Sequence, residues 1–184
     1  MSLERGDAPD PYDILPPVPA FELTSPDIAD GQQIGTRFIH GSVGGDNLSP
    51  QLRWHGFPSE TMGFVVTCFD PDAPTGSGFW HWMLVNVPLG TTRLQRNAGA
   101  GQGAGGDVPS TSFHVRNDYN EPRYDGPAPP AGDKPHRYVF AVHAMDTLEL
   151  SVDSSAQAAF VGFNLTFHTI ARAVLRPTFQ LPAS

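Results

Sequence analysis

The sequence predicts a single domain built mainly of β-strands. Glycine and proline each occur 19 times in 184 residues, and both disfavour helix interiors while marking the turns between short strands. Three runs rich in β-branched and aromatic residues, each bounded by Pro, Gly or Asp, predict core strands at residues 63–69, 79–87 and 137–145. The length lies within the range of one compact domain.

Short elements precede these strands. Phe21 and Leu23 predict one short strand, and residues 37–39 predict a second. Ahead of them, residues 1–19 hold five prolines and predict an extended arm, which either wraps a neighbour or is mobile. Residues 20–184 show no internal repeat and no change of composition, which predicts one domain.

Near the C-terminus, apolar residues recur at steps of three and four. This spacing predicts a helix with one face packed on the core, ending at Pro177. The residues of that face are Phe160, Phe163, Phe167, Ile170, Ala171 and Val174.

A long Gly- and Pro-rich segment, residues 97–135, separates the second and third core strands. It is too long for an ordinary connection, which indicates a functional loop. Residues 101–106 match the G-x-G-x-x-G pattern of dinucleotide-binding turns, but such a turn needs a hydrophobic strand before it and a helix after it. Neither is predicted here, so we interpret these residues as a flexible loop and expect no cofactor.

Charge and cysteine content exclude several classes of partner. The formal net charge is −8, from 11 basic and 19 acidic residues, and it repels nucleic acid and anionic membrane surfaces. The single cysteine, Cys68, lies in an apolar run and is expected to be a buried, inert thiol, which suits a reducing compartment. Because neither a signal segment nor a membrane span is predicted, we expect a cytoplasmic protein.

Two carboxylates follow the first core strand. Asp70 and Asp72 lie in a turn with two prolines, residues 70–74, which holds them in place. Taken alone, Asx hydrogen bonds within the turn explain both carboxylates better than a site does. His81 changes this interpretation, because a buried imidazole between Trp80 and Trp82 needs a polar partner and a neighbouring carboxylate could provide it. By strand alternation, the side chains on the His81 face are those of Met83, Val85 and Val87.

A stiff loop precedes the third core strand. Residues 126–132 contain three prolines and fix the direction of His136. Taken alone, a surface turn with a satisfied histidine explains this fragment equally well. The seven histidines include no H-x-H or H-x-x-x-H pair, and no G-x-S-x-G elbow is present, so neither a zinc site nor acyl transfer is predicted.

Together these fragments resemble the phosphatidylethanolamine-binding protein family, which includes the Raf kinase inhibitor protein, and they look like its bacterial branch. The motifs that carry the resemblance are Asn47-Leu48-Ser49-Pro50, Asp70-Pro71-Asp72-Ala73-Pro74, Trp80-His81-Trp82, Asn117-Asp118-Tyr119 and His136-Arg137-Tyr138. The resemblance implies a β-sandwich with a large antiparallel sheet and a C-terminal helix beside a pocket for phosphate-like groups.

The resemblance also implies the residues of that pocket, and the sequence itself holds no metal-ligand set and no cofactor fingerprint. Two departures affect it: Lys134 and Pro135 precede the loop histidine and place a cation at the pocket mouth, and Gly76 stands where animal members carry a tyrosine. The expected ligand-binding residues are Asp70, Asp72, Trp80, His81, Pro129, Gly132, His136 and Tyr138.

The function expected from this resemblance is non-catalytic binding of a small anionic ligand, either phosphate-type or phosphorylethanolamine-like. The family implies regulation of a protein kinase or protease as well. Two alternatives stay open: a hydrolase that uses Asp70 and His81 as an acid/base pair, and a vestigial pocket in a homodimer. For the binding site, Asp70, His81 and His136 must converge, and we expect at least one cis-prolyl bond within residues 70–74.

Overall fold

The computed structural model describes residues 3–101 and 106–183, and this part of the chain is mainly strand. In chain order its elements are β1 (Glu22–Thr24), β2 (Leu52–His55), β3 (Gly63–Asp70), β4 (Phe79–Pro88), β5 (Arg93–Leu94), β6 (Phe113–His114), β7 (His136–Arg137), β8 (Val139–Met145), α1 (Ala158–His168), β9 (Thr169–Leu175) and β10 (Thr178–Phe179).

A five-stranded antiparallel sheet with the order β6-β4-β3-β8-β9 forms the centre of the fold. Its middle strands β3 and β8 are almost wholly buried, which explains why they read as continuous apolar runs rather than alternating ones. Cys68, in β3, is fully buried, and burial raises the pKa of its thiol.

Each face of this sheet packs in its own core cluster. Phe64 and Val66 of β3 contribute to a larger cluster that also contains Trp54 of β2, so the three-stranded sheet β1-β2-β5 covers that face. Val65 contributes to a smaller cluster with Val161 of α1. The fold is therefore a sheet sandwich on one side and a sheet–helix layer on the other. A third small sheet pairs β10 with β7.

Two irregularities in β4 break the predicted alternation. In the pairing of β3 with β4, the residue pair Phe64↔Val87 is followed by Val66↔Leu84, and the pair Cys68↔Trp82 is followed by Phe69↔Trp80. Each step leaves one extra residue on β4, as in a β-bulge. Val87 therefore joins the larger cluster instead of facing the same side as Met83 and Val85. At the second bulge His81 is the extra residue.

The predicted C-terminal helix is present but shorter than expected. It ends at His168, and Ile170, Ala171 and Val174 belong to β9, because the β-branched run from Thr169 onward favours a strand. The aromatic face does not pack on the core, since Phe160, Phe163 and Phe167 are all more than half exposed. The smaller residues Ala158, Val161 and Leu165 contact the sheet instead.

Three further expectations differ from the structure or fall outside it. The strand predicted at residues 37–39 is a 3₁₀ turn, Thr36–Phe38. The described residues contain no cis peptide bond, so the expected cis-prolyl bond is wrong; the turn after β3 closes with Asp70 Oδ1 accepting from the Asp72 amide at 2.8 Å. Most of the loop predicted at 101–106, residues 102–105, lies outside the described residues.

The arm lies against its own domain. The Arg137 guanidinium donates to the Ala8 carbonyl at 2.6 Å, and the Arg172 amide donates to the Pro19 carbonyl at 2.9 Å. Asp10 pairs with Arg176 at 2.5 Å. Among the described residues, no helix is long and apolar enough to cross a bilayer.

Candidate functional site

One end of the large sheet carries a cavity of about 230 Å³. Asp70 ends β3, whereas Phe79 and His81 begin the antiparallel neighbour β4, so the three side chains reach the same edge. Tyr138, just before β8, arrives there as well. His136 of β7 also lines the cavity, and loops complete the wall with Ala73, Pro74, Thr75, Tyr119, Ala128, Pro129 and Pro130.

His136 lies between two carboxylates. Its Nδ1 donates to Asp70 Oδ2 at 2.7 Å, and its Nε2 donates to Asp133 Oδ2 at 3.0 Å. Burial disfavours the charged ring, but the hydrogen bonds and charges of Asp70 and Asp133 outweigh it and raise the pKa of His136. The raised pKa favours the imidazolium form, in which both N–H groups donate to carboxylates.

Arg5 of the arm completes this charge cluster. Its guanidinium donates to Asp133 in a bidentate pair at 2.9 and 2.8 Å and also donates to the Asp72 carbonyl. The hydrogen bond from Arg5 holds the pKa of Asp133 well below its usual range. The two cations, Arg5 and His136, thus balance the carboxylates of Asp70 and Asp133.

His81 differs from His136 in both partner and charge. It is buried, and its Nδ1 lies 2.7 Å from the Asp125 carbonyl. A carbonyl only accepts, so the proton sits on Nδ1 and the lone pair on Nε2. Burial lowers the pKa of His81, which makes the ring neutral near pH 7. Among the described residues, Nε2 has no hydrogen-bond partner.

Two tyrosines stand beside His81. The ring centroid of Tyr138 lies 5.1 Å from that of His81, and the ring centroid of Tyr119 lies 5.9 Å away. Within the described part of the chain, neither hydroxyl has a hydrogen-bond partner. Burial raises the pKa of Tyr119 to about 12 and that of Tyr138 further, so both are protonated donors at neutral pH. The cavity thus presents two free hydroxyls and one free imidazole nitrogen.

A hydrogen-bonded loop fixes the wall beside β4. The Asn117 amide donates to Asp125 Oδ2 at 2.8 Å, and the Asn47 amide donates to Asp125 Oδ1 at 2.8 Å. Asp118 Oδ2 accepts from the Trp80 amide at 2.7 Å. These contacts place Tyr119 and the Asp125 carbonyl against His81, so the long segment after β5 does build the cavity.

Of the predicted site residues, Asp70, His81, Pro129, His136 and Tyr138 line the cavity. The other three do not. Asp72 is buried but pairs with Arg137, whose Nε lies 2.8 Å from Oδ2. Trp80 packs on Phe69 with ring centroids 4.4 Å apart, because the bulge at His81 turns it toward the helix side of the sheet. Gly132 occupies a left-handed turn ahead of Asp133.

Lys134, which the sequence predicts as a cation at the pocket mouth, is engaged by the arm. Its Nζ lies 2.7 Å from Asp7 Oδ1 and 3.0 Å from the Gly6 carbonyl, so it helps to fix the arm. The functional neighbours that the sequence did not indicate are Arg5, Asp125 and Asp133. Asp133 could have been found from the sequence because it lies three residues before His136, whereas no feature of the sequence indicates that Arg5 lies near the site. Among the described residues, no three His, Cys, Asp or Glu side chains are grouped so as to hold a metal ion.

Comparison with known proteins agrees with this fold. The model of the phosphatidylethanolamine-binding protein family matches residues 24–180. The Escherichia coli UPF0098 proteins YbhB and YbcL are 45% and 42% identical to this chain; the YbhB match covers 87% of this chain and 100% of YbhB, and the YbcL match covers 88% of each. The crystal structure of E. coli YbcL, described as a new member of the mammalian PEBP family, superposes with a TM-score of 0.83 over 88% of this chain and 98% of YbcL.

The chain belongs to the phosphatidylethanolamine-binding protein family. Its relatives named above are bacterial. The family match begins at residue 24, so Arg5 and Tyr12 of the arm lie outside the matched span.

Proposed function

We propose that this protein is a non-catalytic binding protein for a small phosphate-type anion, either free or as a head group such as phosphorylethanolamine. The observation that carries the proposal is the set of unpartnered groups on the cavity wall: the hydroxyls of Tyr119 and Tyr138 and Nε2 of His81. Unpaired polar groups in a largely buried setting are expected to receive partners from a ligand or from water.

Each free group has a role in anion binding. The hydroxyls of Tyr119 and Tyr138 donate to phosphoryl oxygens. His81 Nε2 accepts from a protonated ligand oxygen or takes up a proton itself. The charges around the cavity are already balanced, so a bound anion adds a net negative charge to the cavity. Proton uptake at His81 compensates this charge, and binding is therefore coupled to that proton uptake. A cavity of about 230 Å³ is smaller than a typical drug-sized site of roughly 300–1,000 Å³, which fits a head group.

The same contacts argue against the hydrolase alternative. That mechanism needs Asp70 and His81 as an acid/base pair, but Asp70 pairs with His136. Both nitrogens of His136 contact carboxylates, and the Thr75 hydroxyl on the wall donates to the Gly78 carbonyl at 2.6 Å. An activated nucleophile needs a base within hydrogen-bond reach, and the described residues place none beside Thr75.

Roles beyond the ligand remain predictions from the family resemblance. They are inhibition of a protein kinase or protease, and formation of a homodimer in which the pocket is vestigial. Ligand binding with the stoichiometry of one per chain would argue against the vestigial pocket.

Calorimetric titration with phosphorylethanolamine and with inorganic phosphate tests the proposal. We expect the wild-type affinity to fall as the pH rises from 5.5 to 8. At higher pH His81 is less able to take up the proton that accompanies the anion, and a phosphate monoester, whose second pKa is about 6, gains negative charge. His81→Ala should reduce the affinity at least about tenfold, which is 1.4 kcal/mol. His55→Ala is the control, since His55 is exposed on β2. Equal affinity in both variants would place the anion elsewhere.

A further inference from the structure

A second and larger cavity, of about 560 Å³, lies on the helix side of the sheet. The arm forms its outer wall, and strands of the large sheet form its base. Most of the lining is apolar. Its walls include Pro11, Ile14 and Leu15 of the arm, Trp80 of β4, and Gly162 and Phe163 of α1.

Arg172 of β9 lies at the base of this cavity with only 9% of its surface exposed. Its Nε donates to His143 Nδ1 at 3.3 Å, and its guanidinium carbon lies 4.0 Å from the Tyr12 ring centroid. Among the described residues, its terminal nitrogens have no hydrogen-bond acceptor and no carboxylate pairs with it. Asp10, whose charge opposes the lowering of the Arg172 pKa by burial, is itself paired with Arg176. A buried cation without a counter-ion is costly.

The polar neighbours of Arg172 form a hydrogen-bonded group of their own. Because Arg172 can only donate, His143 Nδ1 accepts and its proton sits on Nε2. Nε2 lies 3.3 Å from Thr67 Oγ1 and 3.4 Å from the Tyr12 hydroxyl, both of which can accept from it. Burial lowers the pKa of His143 far below its usual value, so this ring adds no charge. The Tyr12 hydroxyl also has a side-chain hydrogen bond with Thr67, so these neighbours satisfy one another and the terminal nitrogens of Arg172 are left for a ligand.

We propose that this cavity binds a monocarboxylate with an apolar chain. The carboxylate pairs with the terminal nitrogens of Arg172, and the chain lies between the arm and α1. The two terminal nitrogens of one guanidinium match the two oxygens of a single planar carboxylate. The apolar chain would cover Ile14 and Phe163, which are 71% and 60% exposed. The volume is within the roughly 300–1,000 Å³ of small-molecule sites.

Calorimetric titration with decanoate, below its micelle concentration, tests this site. Wild-type protein should bind decanoate with a stoichiometry of one and bind 1-decanol at least about tenfold more weakly, because the alcohol lacks the charge. Arg172→Gln should abolish this preference for the acid, whereas the exposed Arg53→Gln should keep it. No decanoate binding, or equal affinity for acid and alcohol, would overturn the proposal.

A variant at Gly162 keeps the test informative if Arg172→Gln does not fold. A Cβ at Gly162 meets only Trp80, at 4.0 Å, and Gly is a poor helix former. Gly162→Leu should therefore fold, fill the cavity and abolish decanoate binding, and Gly162→Ala should retain it. Unchanged binding in Gly162→Leu would contradict the proposal. So would loss of decanoate binding in His81→Ala, since that would place decanoate in the Asp70 cavity.

Discussion

His136 and His81 line the same cavity but carry different charges, and their partners explain the difference. His136 contacts two carboxylates, which raise its pKa, whereas His81 donates to a carbonyl and burial lowers its pKa. The sequence could predict that Asp70 and His136 meet, because both belong to motifs with a known order. It could not predict that Asp70 pairs with His136 instead of His81, since that choice depends on the bulge in β4 and on Asp133.

Tyr138→Phe tests the role of a single hydroxyl. Because this hydroxyl has no partner among the described residues, its removal should leave the free energy of unfolding unchanged. The affinity for phosphorylethanolamine should fall at least about tenfold, as expected for a hydrogen bond to a charged group. Calorimetry and urea unfolding measure the two quantities.

Tyr124→Phe is the matched control. The Tyr124 hydroxyl donates to the Phe38 carbonyl at 2.7 Å and lies outside the cavity. Its loss should cost about 1 kcal/mol of stability and leave the affinity unchanged. The opposite pattern in the two variants would remove Tyr138 from the binding site.

At the scale of elements, strands were easier to predict than the helix. The buried runs 63–69, 79–87 and 137–145 match β3, β4 and β7–β8 because their residue types and flanking turns agree. The step of three and four near the C-terminus correctly indicated a helix. It did not reveal which face is buried, because the face of α1 with smaller residues packs on the sheet and the aromatic face is exposed to solvent.

Arg5→Gln tests whether the arm is held by the charge cluster. The change removes the bidentate pair with Asp133, so residues 3–12 should exchange their amide hydrogens faster. Arg53→Gln, at an exposed site on β2, should not affect this exchange. Mass spectrometry of deuterium uptake measures both. Equal uptake in wild type and Arg5→Gln would show that Lys134, Arg137 and Arg176 suffice to hold the arm.

For the whole molecule, buried neutral histidines determine the response to mild acid. Burial lowers the pKa of His81, His114 and His143, that of His114 to about 4. Their unfolded values are near 6.5, so between about pH 4 and 6.5 the unfolded state binds more protons and stability falls as pH falls. His136 acts in the opposite direction, since its raised pKa contributes stability that is lost as pH rises above 6.5.

His114→Phe should reduce this acid sensitivity. The Nε2 atom of His114 is buried without a partner among the described residues, so its loss costs no hydrogen bond. The difference in melting temperature between pH 7.5 and pH 5 should be smaller in the variant than in wild type. His55→Gln, at an exposed site, should leave it unchanged. An equal difference in all three proteins would show that His114 is not neutral in the fold.

The central claim is that the cavity beside Asp70 binds a phosphate-type anion through Tyr119, Tyr138 and His81. A crystal structure of the protein with phosphorylethanolamine tests it most directly. We expect the phosphoryl group inside the cavity, with one oxygen within hydrogen-bond distance of the Tyr138 hydroxyl and another within that distance of His81 Nε2. A cavity that stays empty at a saturating ligand concentration, or a phosphoryl group bound elsewhere on the chain, would contradict the claim.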